Sequence, residues 1–339
     1  MTREIVSEVA IAGATGAVGQ QLITNILRSF PHIQLHLAAS AKAGILPYGR
    51  AISYWTQEEP LSEKIKNIPV YSVEAPIKCQ WIFSALPKEL AKLHEPRWVA
   101  EGKWVISMAC AHRLEPEVPT VVRDVNQSHL EPALRKMKAG QGALICKPNC
   151  AAAILATFIK PLMGLGLKKV SAVSLQSLSG AGYPGPSAWQ MIGDFIGHIE
   201  GEACKIEEEM PRLLGSWQEK SCSFALDDQI EWTVTSMRVP VARGHSLQLE
   251  LEFEKAVSAE EFALVLSHPH LTHVEDYQLL TPKKVMARAC AMKVYWGNHR
   301  IKKPARHQVL VIGDNLGRGA ASGAVEIWRY CQTQLARLT

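Results

Sequence analysis

Lys147-Pro148-Asn149-Cys150 runs straight into Ala151-Ala152-Ala153-Ile154-Leu155. Proline and asparagine mark a turn and the alanine run opens a helix, so Cys150 is expected at a helix N-terminus. The positive end of the helix dipole favours a thiolate there, and a thiolate is a good nucleophile. N–H groups of the same helix end are expected to stabilise an oxyanion. A thiol nucleophile needs a proton-transfer partner. His245 closes Arg238-Val239-Pro240-Val241-Ala242-Arg243-Gly244-His245, at a glycine-marked strand end where site residues often sit. Many cysteines begin helices and stay inert, so this pair is one candidate among eight cysteines and twelve histidines.

A second chemical string lies near the start. Gly13-Ala14-Thr15-Gly16-Ala17-Val18-Gly19 is a GxxGxxG loop after an apolar strand, Val9-Ala10-Ile11-Ala12, and before a helical pattern. Glycines there allow a tight turn and close backbone approach, and the helix N–H groups receive a diphosphate. The alternative is a purely structural turn. The second strand ends in Ala38-Ala39-Ser40-Ala41-Lys42 without the acid that holds the ribose of NAD. Ser40 and Lys42 suit a 2′-phosphate, which favours NADP; the plainer reading of Lys42 is a loop lysine.

These residues need a scaffold, and the hydrophobic pattern supplies one. Short apolar runs alternate with helical periodicity over the first 150 residues, as in βαβ units around a parallel sheet. Strands are expected at Leu35–Ala38, Trp81–Ser84 and Trp104–Ser107, with helices over Ala17–Arg28 and Pro87–Ala100. Beyond Cys150 the spacing predicts a helix over Ala151–Met163 broken by Pro161, and strands at Val170–Leu175, Thr233–Val239, Leu247–Phe253 and Gln308–Ile312. A helix is expected over Ala188–Ile199, continuing towards Leu214. Lys302-Lys303-Pro304-Ala305-Arg306 reads as a solvated loop. The fold class is α/β: an N-terminal Rossmann-type parallel sheet over residues 1–149 and a second α+β domain over 150–318, with a helix over 319–339 returning to the first.

The 339 residues are 47% hydrophobic and 20% charged, which excludes a disordered or collagen-like chain. No apolar run approaches a membrane span, and the first residues do not read as a secretory signal, so the expectation is a cytoplasmic protein with no membrane partner. A formal charge of +5 is too mild for a nucleic-acid footprint but suits a small anionic ligand. The cysteines form no CxxC pair and are expected as reduced thiols. His268, His270 and His273 mimic a metal cluster, but Pro269 and the lack of acid or thiol partners favour a solvated loop; no metal is expected.

Together, GATGAVG at Gly13–Gly19, PNC at Pro148–Cys150, SGAGYPG at Ser179–Gly185, RVPVARGH at Arg238–His245 and GDNLGRGAASGA at Gly313–Ala324 resemble the aspartate-semialdehyde dehydrogenases, most closely the archaeal and fungal-like branch. The resemblance implies NADPH-dependent reduction of L-4-aspartyl phosphate to L-aspartate 4-semialdehyde with release of phosphate. It implies Cys150 as the nucleophile that forms a thioacyl enzyme, His245 as the acid/base residue and Gln176 as the group orienting the acyl chain. Arg238 is implied to pair with the substrate carboxylate, and a guanidinium fork suits that planar anion. Glu202 and Lys205, at ExxK spacing, are implied to hold the ammonium and the phosphate; the plainer reading is an exposed ion pair on one helix face. Arg113 and Asn149 complete the implied substrate set. Ser179, Gly180, Asn315 and Leu316 join Gly13, Thr15, Gly16, Ala17, Val18, Gly19, Ser40 and Lys42 as implied cofactor contacts. A homodimer or homotetramer is implied.

The chain also departs from the family pattern. Met108 stands where an asparagine is common, Ala151 follows the cysteine in place of a hydroxyl residue, and Ala203-Cys204 replace an acid run; the stretch after Tyr183 is one residue short. Alternatives within the class are reductases of another acyl phosphate, such as N-acetylglutamyl phosphate, or of an acyl-CoA. Glu202 argues against an N-acetylated amine, which has no charge to pair. A non-catalytic NADP-binding sensor is the alternative outside it, and such a sensor has no need of Cys150, His245 and Arg238.

Overall fold

The computed structural model describes residues 7–40, 45–287 and 291–337. They divide into two units: Met1–Val121, Ser128–Lys147 and Ala320–Thr339 form one, and Val122–Gln127 with Pro148–Gly319 the other. Pro148 and Asn149 already belong to the second unit, two residues before the expected boundary, and the division differs from the expectation in two further places. Val122–Gln127 leaves the first unit because Val122 and Val125 pack into the core of the second, and the C-terminal segment rejoins the first unit from Ala320.

In the first unit, β1 (Glu8–Ala12), β2 (Gln34–Ala39), β3 (Leu46–Pro47), β4 (Pro69–Ser72), β5 (Trp81–Ser84), β6 (Trp104–Ser107) and β7 (Ala143–Cys146) form one sheet in the order β3-β4-β2-β1-β5-β6-β7. All pairs are parallel except β3 with β4. Val9, Ala10, Ile11 and Ala12 are all buried, as expected of a central strand covered on both faces. The helix Ala17–Ser29 turns Leu22, Ile23 and Ile26 inward, and Trp328 of the C-terminal helix Ser322–Ala336 meets Phe30 and Phe83 edge to face. The sheet runs outward from β1 in both directions, so the loop after β1 sits at a switch point, the usual nucleotide position in such folds.

In the second unit β8 (Leu167–Gln176) is followed by a small hairpin of β9 (Ser216–Gln218) and β10 (Ser223–Ala225). The main sheet adds β11 (Glu231–Arg238), β12 (His245–Phe253), β13 (Leu271–Val274), β14 (Val294–Lys303) and β15 (Arg306–Gly313), in the order β11-β8-β12-β15-β14-β13. It is mixed: β11 with β8 and β13 with β14 are parallel, the other pairs antiparallel. The helix Cys150–Leu162 is apolar all round, with Ala151 to Ile159 fully or almost fully buried, as a helix inside a core must be. Pro161 does not break it: the helix continues to Leu162 and runs on into a 3-10 turn, Met163–Leu165.

Other expectations are corrected here. The helix predicted over Ala188–Ile199 is a single turn, Ala188–Met191, and a separate helix spans Glu202–Leu214. Gly193 (φ 76°) and Gly201 (φ 63°) take the left-handed conformation between them, which ends a right-handed helix. Ile196 is used instead as a strand-like bridge, exchanging main-chain hydrogen bonds with Arg238 at 2.9 Å each way. Lys302 and Lys303 are not loop but the exposed end of β14, with Pro304-Ala305 turning the chain into β15. His273 lies in β13, its ring stacked on Trp296 at 4.2 Å, rather than in a solvated loop. The C-terminal helix is preceded by a π turn, Gly317–Ala321.

Candidate active site

The sheet of the second unit gathers the chemistry at one end. β8 and β11 run parallel in a register that sets Gln176 opposite Arg238, the last residues of their strands. β12, on the other side of β8, begins at His245, which faces Gly313 at the end of β15. Residues 176, 238, 245 and 313–315, scattered over half the sequence, therefore share one edge. Cys150 opens the buried helix, and its Sγ lies 3.1 Å from His245 Nε2.

Asn149 caps that helix, its Oδ1 accepting from the N–H groups of Ala151 (2.8 Å) and Ala152 (3.3 Å). The cap thus uses the N–H groups of Ala151 and Ala152 at this helix end. Asn149 Nδ2 donates to Glu202 Oε1 at 2.7 Å, and Gln176 Nε2 donates to the same oxygen at 3.0 Å. Burial raises the Glu202 carboxyl, but these two hydrogen bonds, with the charge of Lys205, outweigh it and hold the group below its usual value, so Glu202 is an anion. Lys205 Nζ is 3.6 Å from Glu202, and its half-exposed side chain makes the ion pair that the plainer reading anticipated. Arg238, 6% exposed, donates from Nη1 to Ser177 O at 2.9 Å and to Gln176 Oε1 at 3.4 Å. Gly180 packs so closely on this group that a Cβ there would lie 2.7 Å from Arg238 Nη1 and 2.8 Å from His245 Cε1.

His245 is fully buried, and burial with the neighbouring Arg238 charge pushes it down to about 3, against the opposite pull of Glu202. His299 is lowered likewise, to about 4, by burial and by His307 and His273. The sign follows directly: below about 6.5 the unfolded chain binds protons at these rings that the folded chain refuses, so stability falls as pH drops from about 6.5 towards 3. In denaturant titrations between pH 6 and 4, His245→Gln is expected to reduce the pH slope of stability by up to one proton, about 1.4 kcal/mol per pH unit. An unchanged slope would mean that His245 is not held neutral by the fold.

Sequence reasoning missed several members of the site. Glu209, 3% exposed, accepts from the main-chain N–H of Asn149 and so anchors the turn before the nucleophile. It stands two helical turns after Glu202 on the same face, which is the signal that could have found it. Arg243 grips Asp314 with two hydrogen bonds of 2.9 and 2.7 Å, tying together two of the motifs. Asn315 and Ser179, expected as cofactor contacts, are hydrogen-bonded to each other and to this network, and Leu316 is 7% exposed beside them.

The remaining expected residues lie in the first unit. Arg113 is buried and donates to Met108 O at 2.9 Å. Ser40 is exposed just after β2, and Lys42 lies outside the described residues. In the glycine loop Gly13 N–H and Ala14 N–H both donate to Ala38 O, and Tyr48 Oη donates to Ala14 O at 2.9 Å. Gly16 precedes a helix end that has no side-chain cap and no acid in its first turn, which leaves room and positive potential for a diphosphate. These residues fit a dinucleotide. A Cβ on Gly19 would lie 2.2 Å from Gly13 O and 2.7 Å from Ala14 Cα, so Gly19→Ala must displace the loop backbone. The expected result is a loss of about 2–4 kcal/mol in stability and at least ~10-fold weaker NADPH binding by fluorescence titration; unchanged binding would exclude the loop as the diphosphate site. Among the described residues the one group with metal-ligand spacing is Glu8, His36 and Cys79, in the first unit.

A two-unit fold with a switch-point glycine loop in one unit and a cysteine–histidine pair in the other defines an oxidoreductase class, and comparison with known proteins agrees. The family model described as "Semialdehyde dehydrogenase, NAD binding domain" matches residues 8–133, and "Semialdehyde dehydrogenase, dimerisation domain" matches 159–318. The aspartate-semialdehyde dehydrogenase of Archaeoglobus fulgidus is 32% identical over 335 residues, covering 94% of this chain and 95% of that one. That of Aspergillus fumigatus is 34% identical over 263 residues, covering 74% and 71%. The crystal structure of the Candida albicans enzyme superposes with a TM-score of 0.85 at 26% identity, over 95% of this chain and 97% of that one. The chain belongs to the aspartate-semialdehyde dehydrogenase family.

Proposed function

We propose that this protein reduces L-4-aspartyl phosphate to L-aspartate 4-semialdehyde, releasing phosphate, with NADPH as hydride donor and Cys150 as the nucleophile. The observation that carries the reading is the 3.1 Å approach of Cys150 Sγ and His245 Nε2 beside a buried arginine, Arg238, and an anionic carboxylate, Glu202. NADP is supported by the Candida albicans relative, whose structure is described as holding NADP, and by the acid-free end of β2.

In this reading the Cys150 sulfur attacks the acyl carbon, phosphate departs, and a thioester to Cys150 remains. Gln176, clamped between Glu202 and Arg238, orients the acyl chain. Arg238 takes the α-carboxylate with its guanidinium fork, and Glu202 takes the ammonium. Arg113 and Lys205 are assigned to phosphate. When bound, NADPH supplies the hydride that reduces the thioester carbon. Collapse of the resulting adduct frees the aldehyde and returns the electron pair to sulfur. Residues 1–149 would serve the nucleotide, and residues 150–318 the chemistry and the contact between copies, in a homodimer or homotetramer. No helix among the described residues is long and apolar enough to cross a membrane, and we assign the protein to the cytoplasm.

The test is a phosphate-dependent assay of NADP reduction, comparing aspartate semialdehyde with its one-carbon-longer homologue and NADP with NAD. The proposal expects turnover with aspartate semialdehyde and NADP, and a large preference over the homologue. Tight NADPH binding with no phosphate-dependent reduction would instead make the chain a nucleotide sensor.

A further inference from the structure

Away from the site described above, one group of side chains in the first unit combines the ligand types of a zinc centre. Glu8 is the first residue of β1, His36 lies in β2, and Cys79 stands two residues before β5. The parallel register sets His36 beside Ala10, so Glu8, two residues earlier, points to the same face of the sheet. Cys79 joins that face, since it belongs to the cluster of buried side chains that contains Ala10, Ala38 and Ile82. Three segments far apart in sequence thus bring a carboxylate, an imidazole and a thiol to one spot, with their ligand atoms all within 4.8 Å of one another.

We propose that Glu8, His36 and Cys79 form a zinc site that clasps β1, β2 and the entrance to β5. Glu8 opens β1 and the glycine loop follows its last residue, Ala12, about 13 Å further along the strand. The ion is therefore a structural clasp at the end of the sheet remote from the nucleotide loop, independent of the reaction assigned above.

The donor set chooses the metal. Sulfur, nitrogen and oxygen together suit zinc, which accepts all three, whereas magnesium and calcium take oxygen. His36 Nε2 is already 2.9 Å from Glu8 Oε2. Tetrahedral zinc spaces its ligand atoms about 3.3–3.8 Å apart, so side-chain rotation closes the set without moving a strand. Three protein ligands leave a fourth position for water. A cavity of about 300 Å³ opens beside His36, lined also by Ala38, Ser72 and Lys78, and gives the ion and that water a way in. The plainer reading, a partly exposed ion pair above a core cysteine, accounts for Glu8 and His36 but gives the sulfur no part.

Binding makes three bonds, from zinc to Cys79 Sγ, to His36 Nε2 and to one Glu8 carboxylate oxygen. The thiol proton passes to solvent and the imidazole keeps its hydrogen on Nδ1. Two positive charges meet a thiolate and a carboxylate, so the filled site is neutral. Without a metal, burial and the Glu8 carboxylate keep Cys79 a thiol; a dication between them turns that repulsion into shared coordination. Lys103, whose Nζ donates to Lys78 O at 3.1 Å, also favours the thiolate.

The test uses the intact protein, stripped with EDTA and titrated with Co²⁺ and with Zn²⁺. One equivalent of cobalt is expected to give a thiolate-to-cobalt charge-transfer band in the near ultraviolet, which one equivalent of zinc abolishes. The band is expected to be absent in Cys79→Ser and retained in Cys222→Ser, which removes an exposed thiol between β9 and β10. Glu8→Gln and His36→Ala change part-exposed side chains, and each is expected to weaken zinc at least ~10-fold in competition with a chromogenic chelator. Zinc at 100 times its Kd is expected to raise the thermal midpoint of the parent by at least about 3 °C and to leave that of Cys79→Ser unchanged. No band, a band retained in Cys79→Ser, or equal zinc affinity in parent and variants would overturn the proposal. So would a band lost in Cys150→Ser but kept in Cys79→Ser, which would put the metal at the nucleophile. No readout uses NADPH or turnover, so failure of the assigned reaction and failure of this proposal are distinguishable.

Discussion

Cys150→Ser is expected to abolish turnover, by at least about 10³-fold in kcat, while the protein still folds and still binds NADPH. The side chain opens a helix whose next nine residues are all buried, but Sγ itself meets His245 at the helix start. Exchange of sulfur for oxygen removes a group that ionises readily and substitutes one that does not, with almost no change in volume. Thermal unfolding within a degree or two of the parent and an unaltered NADPH titration, together with absent turnover, is the expected pattern. Residual activity above a few per cent would mean that the sulfur is not the nucleophile.

Arg238→Lys is the second large effect. The guanidinium is buried at the end of β11, where it donates to Ser177 O and Gln176 Oε1, and its charge faces Glu202 and Cys150. A lysine keeps the positive charge but loses the planar fork, so it cannot satisfy those acceptors and a substrate carboxylate together. The expected loss in kcat/KM for aspartate semialdehyde is about 10²–10³-fold, or about 3–4 kcal/mol. A large share should appear as a raised KM, with NADPH affinity unchanged. Steady-state kinetics matching the parent would remove Arg238 from carboxylate binding and leave it a structural role.

Much of this was legible in the sequence because the signals were local. The glycine loop, the proline–asparagine turn before Cys150 and the alternating strands β8, β11 and β12 each depend on neighbours a few residues away, where steric limits and side-chain period decide conformation. The misreadings have local causes too. Ala188–Ile199 is apolar enough for a helix, yet left-handed glycines and a bridge to Arg238 take it elsewhere. Lys302 and Lys303 look like a loop from their charge but finish a strand whose partner is β15.

Sequence alone determined the residue types: a cysteine at a helix start, a histidine and an arginine at strand ends, and glycines where backbone must approach backbone. Composition and motif order were enough for the fold class and for the family resemblance. Tertiary structure decided which of these groups meet. Cys150 and His245 are 95 residues apart, and only strand order and register bring them to 3.1 Å. The same packing assigned the helix N–H groups to Asn149, buried Glu209 beneath the turn, and aimed the main-chain N–H of Ser177 at Nδ1 of His245. That last contact comes from a backbone group that every residue but proline carries, so no side-chain pattern could encode it. Its direction is set by the sheet alone.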